Sequence, residues 1–399
     1  MVGAGPDAAG LEDRFSLLDA RLAEDFHGVM GELRRHCPVP HSPDYAGYWV
    51  LTKYDDVRLA ARDWKTFSSA DGVRPHMHGS SSPLTLPEES DPPVHDLWRH
   101  ILNPYFSPGA VGALLPAIAR IADELLDEAS SMSEVDLADA FARPLPLRVI
   151  FEQVLDLPAD MAVECRILAD RAVFGVDVNQ SVAAAKALHD VACQVITAAG
   201  PDTPGSPIVE ALRVATIDGQ PAKLADKSSV LMLLIMAGLE TTTNLINGAL
   251  WRLAEDPAVF GRLQADPSII PSAVEEFVRH EGVVAFMGRR LTRDIEVRGR
   301  QLAKGEWVML SFASANRDSE EFDDADTFDI ERSGNRHIGF GAGIHRCLGS
   351  HLARAEMIVA LERFVARVAE MHLVPGARPA YSLRIARGLR SVPTVVRWV

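Results

Sequence analysis

The chain has 399 residues, 47% of them apolar, and a formal net charge of −15. This length and apolar content can bury a sizeable core, while a pI near 5.3 disfavours nucleic acid and anionic membranes as general partners. Cys37, Cys165, Cys193 and Cys347 are too few and too irregularly spaced for a disulfide framework, which fits a reducing compartment. The first fifteen residues are polar and acidic, without the basic and apolar regions of an export signal. The most apolar run, Val230–Leu239, is too short to span a bilayer and is followed by Glu240. The expectation is a soluble cytoplasmic protein.

Residues 1–15 read as a loose end, and helical spacing runs from near Phe15 to about His36. Tyr45–Tyr54 is aromatic and β-branched and predicts a strand or hairpin. Asp55 and Asp56 are then expected to cap a helix reaching about Asp63. Residues 67–90, rich in Ser, Pro and Gly, form a long irregular loop, either functional or plain surface. Asp91-Pro92-Pro93 signals a helix start. His95 and Arg99 share one face of that helix, a basic pair that fits a solvated surface as well as a site.

Two or three amphipathic helices are expected over 108–160, interrupted near Ser130 and Pro144. More helix, including Phe174, is expected over 160–200, and a Pro/Gly loop over 200–207. Asp226 to about Glu255 reads as one long buried helix. Its middle, Ala237-Gly238-Leu239-Glu240-Thr241-Thr242, is unusual. A buried carboxylate is costly unless used or paired, and threonines can bond back to the i−4 carbonyl. With Gly238 removing bulk, this predicts a local distortion that holds a small ligand or water; a tolerated polar patch is the alternative. Another helix starts at Pro271, where Glu276 and Arg279 stand at i, i+3, worth about 0–1 kcal/mol if exposed. Residues 283–312 alternate as strands do, with bends at Arg298-Gly299 and Ala303-Lys304-Gly305, and His372–Val399 is strand-like again.

Between these last regions lies Phe340-Gly341-Ala342-Gly343-Ile344-His345-Arg346-Cys347-Leu348-Gly349, leading into an amphipathic helix. Cys347 falls at that helix's N-terminal end, where free N–H groups and the dipole favour a thiolate. Gly341 and Gly343 permit a sharp turn and a close approach to something flat and bulky. No second Cys or His stands at zinc-like spacing. The economical reading is a metal that needs one protein ligand, as haem iron does, although an isolated Cys is also a common small buried hydrophobe.

These ten residues fulfil F-G-x-G-x-H-x-C-x-G, and on that pattern the chain resembles the cytochrome P450 haem-thiolate monooxygenases. Four further motifs, in family order, extend the resemblance over nearly the whole chain. Ala237–Thr242 matches A/G-G-x-D/E-T-T/S, and Glu276-x-x-Arg279 matches E-x-x-R. Arg289 stands in R-x-L-T-x-D, and His95 and Arg99 flank Trp98. Two departures occur: Glu281-Gly282 replaces the frequent Pro-Pro, leaving a freer backbone, and Asp324-Ala325-Asp326 replaces Asp-Pro-Asp.

The resemblance implies a bacterial-type P450 fold, mainly α with small β-sheets, a helical prism around a buried haem in one domain over 1–399. The β-rich part would lie around 40–55, 284–312 and 372–399, and the helical part at 92–282 and 347–370. It implies haem b ligated by Cys347 within Phe340, Gly341 and Gly349, with His95, Arg99, Arg289 and His345 on its propionates and Ala237 and Gly238 bordering it. Thr241 would hydrogen-bond dioxygen or a water, and Glu240 would link a proton relay to solvent. Leu233, Val283, Val284, Phe286, Leu389, Phe174 and Met77, with His76 and His78, would line the substrate pocket. Glu276, Arg279 and Arg332 would be structural.

The implied reaction inserts one atom of O2 into a hydrophobic or aromatic small molecule. The chain carries no Rossmann fingerprint and no iron–sulfur cysteine cluster. Electrons are therefore expected from NAD(P)H through a separate ferredoxin and its reductase, docking near Arg99, Arg346 and Arg354. A peroxide-driven peroxygenase and a haem-binding protein without turnover are the alternatives.

Overall fold

The computed structural model describes residues 15–17, 19–75, 80–175, 177–200, 202, 205–217 and 219–399. The expected first helix is two, α1 (Ala20–Glu24) and α2 (Phe26–His36), because Asp25 ends one and caps the other, accepting from Gly28 N at 3.0 Å. Strands β1 (His41–Ser42) and β2 (Tyr48–Leu51) pair as a hairpin. In α3 (Tyr54–Arg62) the expected caps Asp55 and Asp56 lie inside the first turn. The free Tyr54 N–H goes instead to Asp318, at 2.9 Å and far along the chain. The short β3 (Phe67–Ser68) precedes α4 (Val94–Leu102), which starts after Pro93 and buries His95, Trp98 and Leu102.

The breaks near Ser130 and Pro144 are present. Between them α5 (Pro108–Ala129) gives way to an unpredicted strand, β4 (Glu134–Asp136). Two π-helical stretches, 138–142 and 149–154, then flank α6 (Pro144–Arg148). Helices α7 (Ala159–Phe174), α8 (Val178–Ala198) and α9 (Pro207–Arg213) follow, with a small hairpin of β5 (Thr216–Ile217) and β6 (Gln220–Pro221). All three helices pack on α10 (Leu224–Glu255). By length and composition α10 could cross a bilayer, but 72% of its apolar window is buried inside the protein. It is the axis of the largest hydrophobic cluster, which also takes in side chains of α5, α8, α12 (Ile270–Glu281) and α14 (Ser350–Arg367). Between them α11 (Pro257–Ala265) links α10 to α12.

Downstream strands are β7 (Met287–Leu291), β8 (Ile295–Val297), β9 (Arg300–Leu302), β10 (Trp307–Leu310), β11 (Val368–Leu373), β12 (Tyr381–Leu383), β13 (Arg387–Leu389) and β14 (Pro393–Trp398), with the short helix α13 (Phe312–Ala315) after β10. The main sheet has the order β1-β2-β10-β7-β3, with β2 and β10 parallel. The C-terminal strands do not join it. β14 pairs with β11 and β4, β12 with β13, and β8 with β9, so the β-rich regions form several separate sheets. Phe286 is also misassigned as pocket wall. It is wholly buried in a third cluster behind the main sheet, edge-on to Phe15 and Phe26, because the backbone at 285–286 is fixed against Ile385 O. Gly282 is not freer than a proline pair. It caps α12 in the left-handed region (φ +60°), and a Cβ there would lie 2.6 Å from Ala313.

Spacing alone left Glu276 and Arg279 as a weak surface pair, yet both are fully buried. Their two hydrogen bonds are 2.7 Å each. Arg279 also donates to the carbonyls of Asn316, Ala325 and Thr327, and Arg332 to those of Asp323, Asp324 and Thr327. Arg332 completes the trio at 3.3 Å from Glu276. Glu276→Ala would strand a buried guanidinium, a loss of about 3–5 kcal/mol. The midpoint of urea unfolding is expected to fall accordingly; an unchanged midpoint would show that the pair fixes nothing.

Candidate functional site

The loop carrying Cys347 is tied at both ends to one residue of α12. Glu275 accepts from His337 at 2.9 Å and from Arg354 at 2.6 and 2.7 Å. Arg354 also lies 4.3 Å over the Phe340 ring. It is therefore a structural cation, not the free docking charge expected from sequence. Burial pushes the Glu275 carboxyl up, but the Arg354 and His337 hydrogen bonds prevail and hold it at about 2. Nothing in the helical spacing marks Glu275; its partners lie in distant segments.

Within the loop Gly341 and Gly343 both have positive φ, and a Cβ at Gly343 would overlap the Ala61 carbonyl. The close approach predicted for a flat ligand is, at Gly343, an approach to the backbone of α3. Cys347 N–H donates to Phe340 O at 2.8 Å and closes the turn. α14 starts only at Ser350, with Gly349 as its cap, so the helix end acts on Cys347 less directly than expected. Burial pushes the thiol up, and the Gly349 N–H and the charges of Arg99 and Arg346 only partly offset this. Cys347 as a residue nonetheless keeps accessible surface.

Next to it α4 and the Cys347 loop present a set of buried polar nitrogens without partners. His95 Nδ1 is 2.8 Å from Asp96, but its Nε2 has no partner; neither have His345 Nε2 and Trp98 Nε1, all buried. The His95 and His345 rings meet edge to face at 4.6 Å. Arg99 donates to Arg346 O at 3.1 Å. Arg289, buried on β7, reaches only its neighbour's carbonyl, Gly288 O, at 2.7 Å. No carboxylate pairs with it among the described residues. Burial lowers Arg289 to about 10, against the pull of Glu88 and Asp91. His345 is driven down to about 2, by burial first and then by Arg289, His95 and Arg99. These four side chains thus converge. Buried cations and N–H groups lacking acceptors are made whole by anionic oxygens.

On α10 the residues Leu233, Ala237 and Thr241, four apart, keep accessible surface while Met236 and Leu239 are buried. They form one open row on an otherwise buried helix. Thr241 Oγ1 donates to Ala237 O at 3.0 Å and Thr243 Oγ1 to Leu239 O at 2.7 Å. The expected back-bonding is present, but the helix continues through it without a break. Gly238 lies off this row: a Cβ there would be 2.5 Å from Ile150, so its missing side chain admits the 149–154 stretch. Glu240 faces α7. Burial and Asp170 raise it to about 7, opposed by Arg166 and Arg143.

Val283 and Val284 are half-buried, whereas Leu389 is buried and its carbonyl accepts from Asn247 at 3.0 Å. His76, Met77 and His78 lie outside the described residues, as does the side chain of Phe174 at the end of α7.

The family model for Cytochrome P450 matches residues 216–369. Linalool 8-monooxygenase of Pseudomonas putida is 32% identical over 392 residues, which cover 93% of this chain and 95% of that enzyme. The chain belongs to the cytochrome P450 family. Similar too are the cyclomarin C epoxidase of Salinispora arenicola, 33% identical over 90% of this chain and 95% of the relative, and the testosterone-bound structure of CYP109E1 from Bacillus megaterium. The latter has a TM-score of 0.86 at 29% identity, covering 93% of this chain and 97% of that one. This P450 is accordingly a monooxygenase that uses haem b, O2 and a redox partner. The residues present fit the cofactor: an accessible cysteine, an open row on α10, and buried cations and N–H groups without acceptors, suited to its propionates.

Glu275 has a lowered pKa in the fold, so it stabilises above its unfolded value near 4.5, and that contribution is lost as pH falls toward about 2. Thermal unfolding at stepped pH is expected to show Glu275→Gln less stable at neutral pH and converging on the parent in acid. A constant offset at every pH would reject the role.

Proposed function

We propose that this P450 inserts one oxygen atom from O2 into a small apolar substrate, with electrons from a ferredoxin and its reductase in the cytoplasm, from a single domain. The observation that carries this reading is the convergence of Arg99, Arg289, His95 and His345 beside the accessible Cys347. Cys347 would hold the haem iron through its thiolate, framed by Phe340, Gly341 and Gly349. Haem held by a thiolate supplies the electron push that favours O–O cleavage. Arg99 and Arg289 would pair with the propionates, their planar forks matching carboxylates, and His95 and His345 would face them through Nε2.

The row Leu233–Ala237–Thr241 and the half-buried Val283 and Val284 would orient the substrate. This apolar lining suits a hydrophobic molecule, in keeping with relatives named for linalool and steroids. Thr241 Oγ1, with its proton on Ala237 O, offers lone pairs to a donor and can release the proton by turning. Glu240, raised to about 7, holds a proton near neutral pH and would pass it inward from the α7 side. This intact acid–alcohol pair favours the reductant-driven reaction over a peroxide-driven one. Arg346, exposed beside Arg99, would help to seat an acidic ferredoxin.

Cys347→Ala is expected to abolish the thiolate-type absorption of the reduced, carbon monoxide-bound protein together with activity. Thr241→Ala is expected to keep haem and substrate binding but divert electrons to peroxide; tight coupling in that variant would remove the relay. Turnover is expected to fall as pH rises through about 7, where Glu240 loses its proton. Glu240→Gln should flatten that limb of the pH–rate profile, and an unaltered limb would assign it to another group.

A further inference from the structure

A second cavity, of about 330 Å³, shares no residue with the site above. It lies where α2, the C-terminal ends of α10 and α12, the 317–328 segment and the β12–β13 hairpin meet, and its walls are mostly polar. Arg317 is fully engaged: it donates to His280 O at 2.8 Å and to His280 Nδ1 at 3.0 Å, and pairs with Asp326 at 3.5 Å. This fixes His280 as a neutral ring whose Nε2–H points to Asp326 O at 3.2 Å.

The other cations are less well served. Arg252 reaches Glu255 at 3.2 Å through Nη1, but its Nε is buried without an acceptor. Arg387, 8% exposed, forms no ion pair among the described residues; its Nη1 reaches Glu281 O at 3.4 Å and its fork also bonds the Tyr381 side chain, but its Nε is likewise bare. His27 Nδ1 is the third buried atom without a partner. A guanidinium Nε can only donate, so two obligate donors in one cavity lack an oxygen. Aromatic faces hold both forks: Arg387 lies 3.4 Å from the Tyr381 ring centroid and Arg252 5.4 Å from that of Phe328. Burial, then Arg317 and Arg387, keep His27 well below its usual range, so it meets a positive field as a neutral ring.

Against three guanidiniums the lining sets two carboxylates, Glu281 and Asp326. Glu255 on Arg252 brings the carboxylates to three, so what calls for an oxygen ligand is the two bare Nε donors rather than a net charge. We propose that this cavity binds a small monocarboxylate, gripped by Arg387 and Arg252 with His27 as a third contact. Planar forks stacked on rings suit a planar carboxylate.

The test is calorimetric titration of the haem-loaded, full-length protein with acetate at constant ionic strength, with chloride as control and haem absorption followed in parallel. Saturable one-to-one binding without a change in the haem spectrum is expected. It should weaken at least tenfold in Arg387→Gln and in Arg252→Gln and stay unchanged in Arg397→Gln, whose charge lies on the surface at Glu370. Arg252→Gln, at a half-buried helix end, keeps the test decisive should Arg387→Gln disturb β13. Absence of saturable heat, equal heat with chloride, tighter binding of phosphate than of acetate, or indifference to Arg252→Gln would each overturn the proposal.

Discussion

A carboxylate and a guanidinium shut away from water, Glu276 and Arg279, hold the longest irregular segment after α13 in shape. The segment from Asn316 to Gly349 contains almost no regular secondary structure, and buried backbone groups must find partners somewhere. Arg279 and Arg332 supply donors to five of its carbonyls, while Glu276 accepts from Asp329 N and Asn335. A buried ion pair by itself is weak grounds for stability, because desolvation offsets the attraction. Here the charged atoms are bonded several times over, and what they secure is one path for a chain that could take many.

The same economy extends to the neighbouring residue. Glu275 reaches past the pair to His337 and Arg354 and so anchors the Cys347 loop from both sides. The loop then rests on α3 at Gly343 and on α12 at Gly339, where a Cβ would lie 2.6 Å from Val278. Cys347 is positioned by this scaffold rather than by the helix that follows it. Glu240 and Glu275 show how environment divides one residue type. The first is half-enclosed with an acidic neighbour and stays protonated near neutrality; the second has three N–H donors and stays ionised.

An acidic chain thus builds two local concentrations of positive charge, one beside Cys347 and one between α2, α12 and β13. In both, the informative feature is not the number of arginines but the donors that no protein oxygen reaches. Where a surface cation finds water, a buried one must find an acceptor, and its bareness points to what is meant to lie against it.

Much of this was legible in the sequence because it depends on neighbours along the chain. Period and caps gave the long helices and the breaks at Ser130 and Pro144. Contiguous motifs picked out Cys347, the α10 row and the Glu276–Arg279 spacing. What the sequence could not decide was which side of a residue faces which partner. Phe286 turned into the core behind the main sheet, Gly238 toward Ile150 and Arg354 onto Phe340. The C-terminal strand β14 paired with β4, and Asp318 capped α3 in place of Asp55. Each outcome rests on a contact between distant segments, and only the tertiary structure brings their burial, register and unpaired donors together.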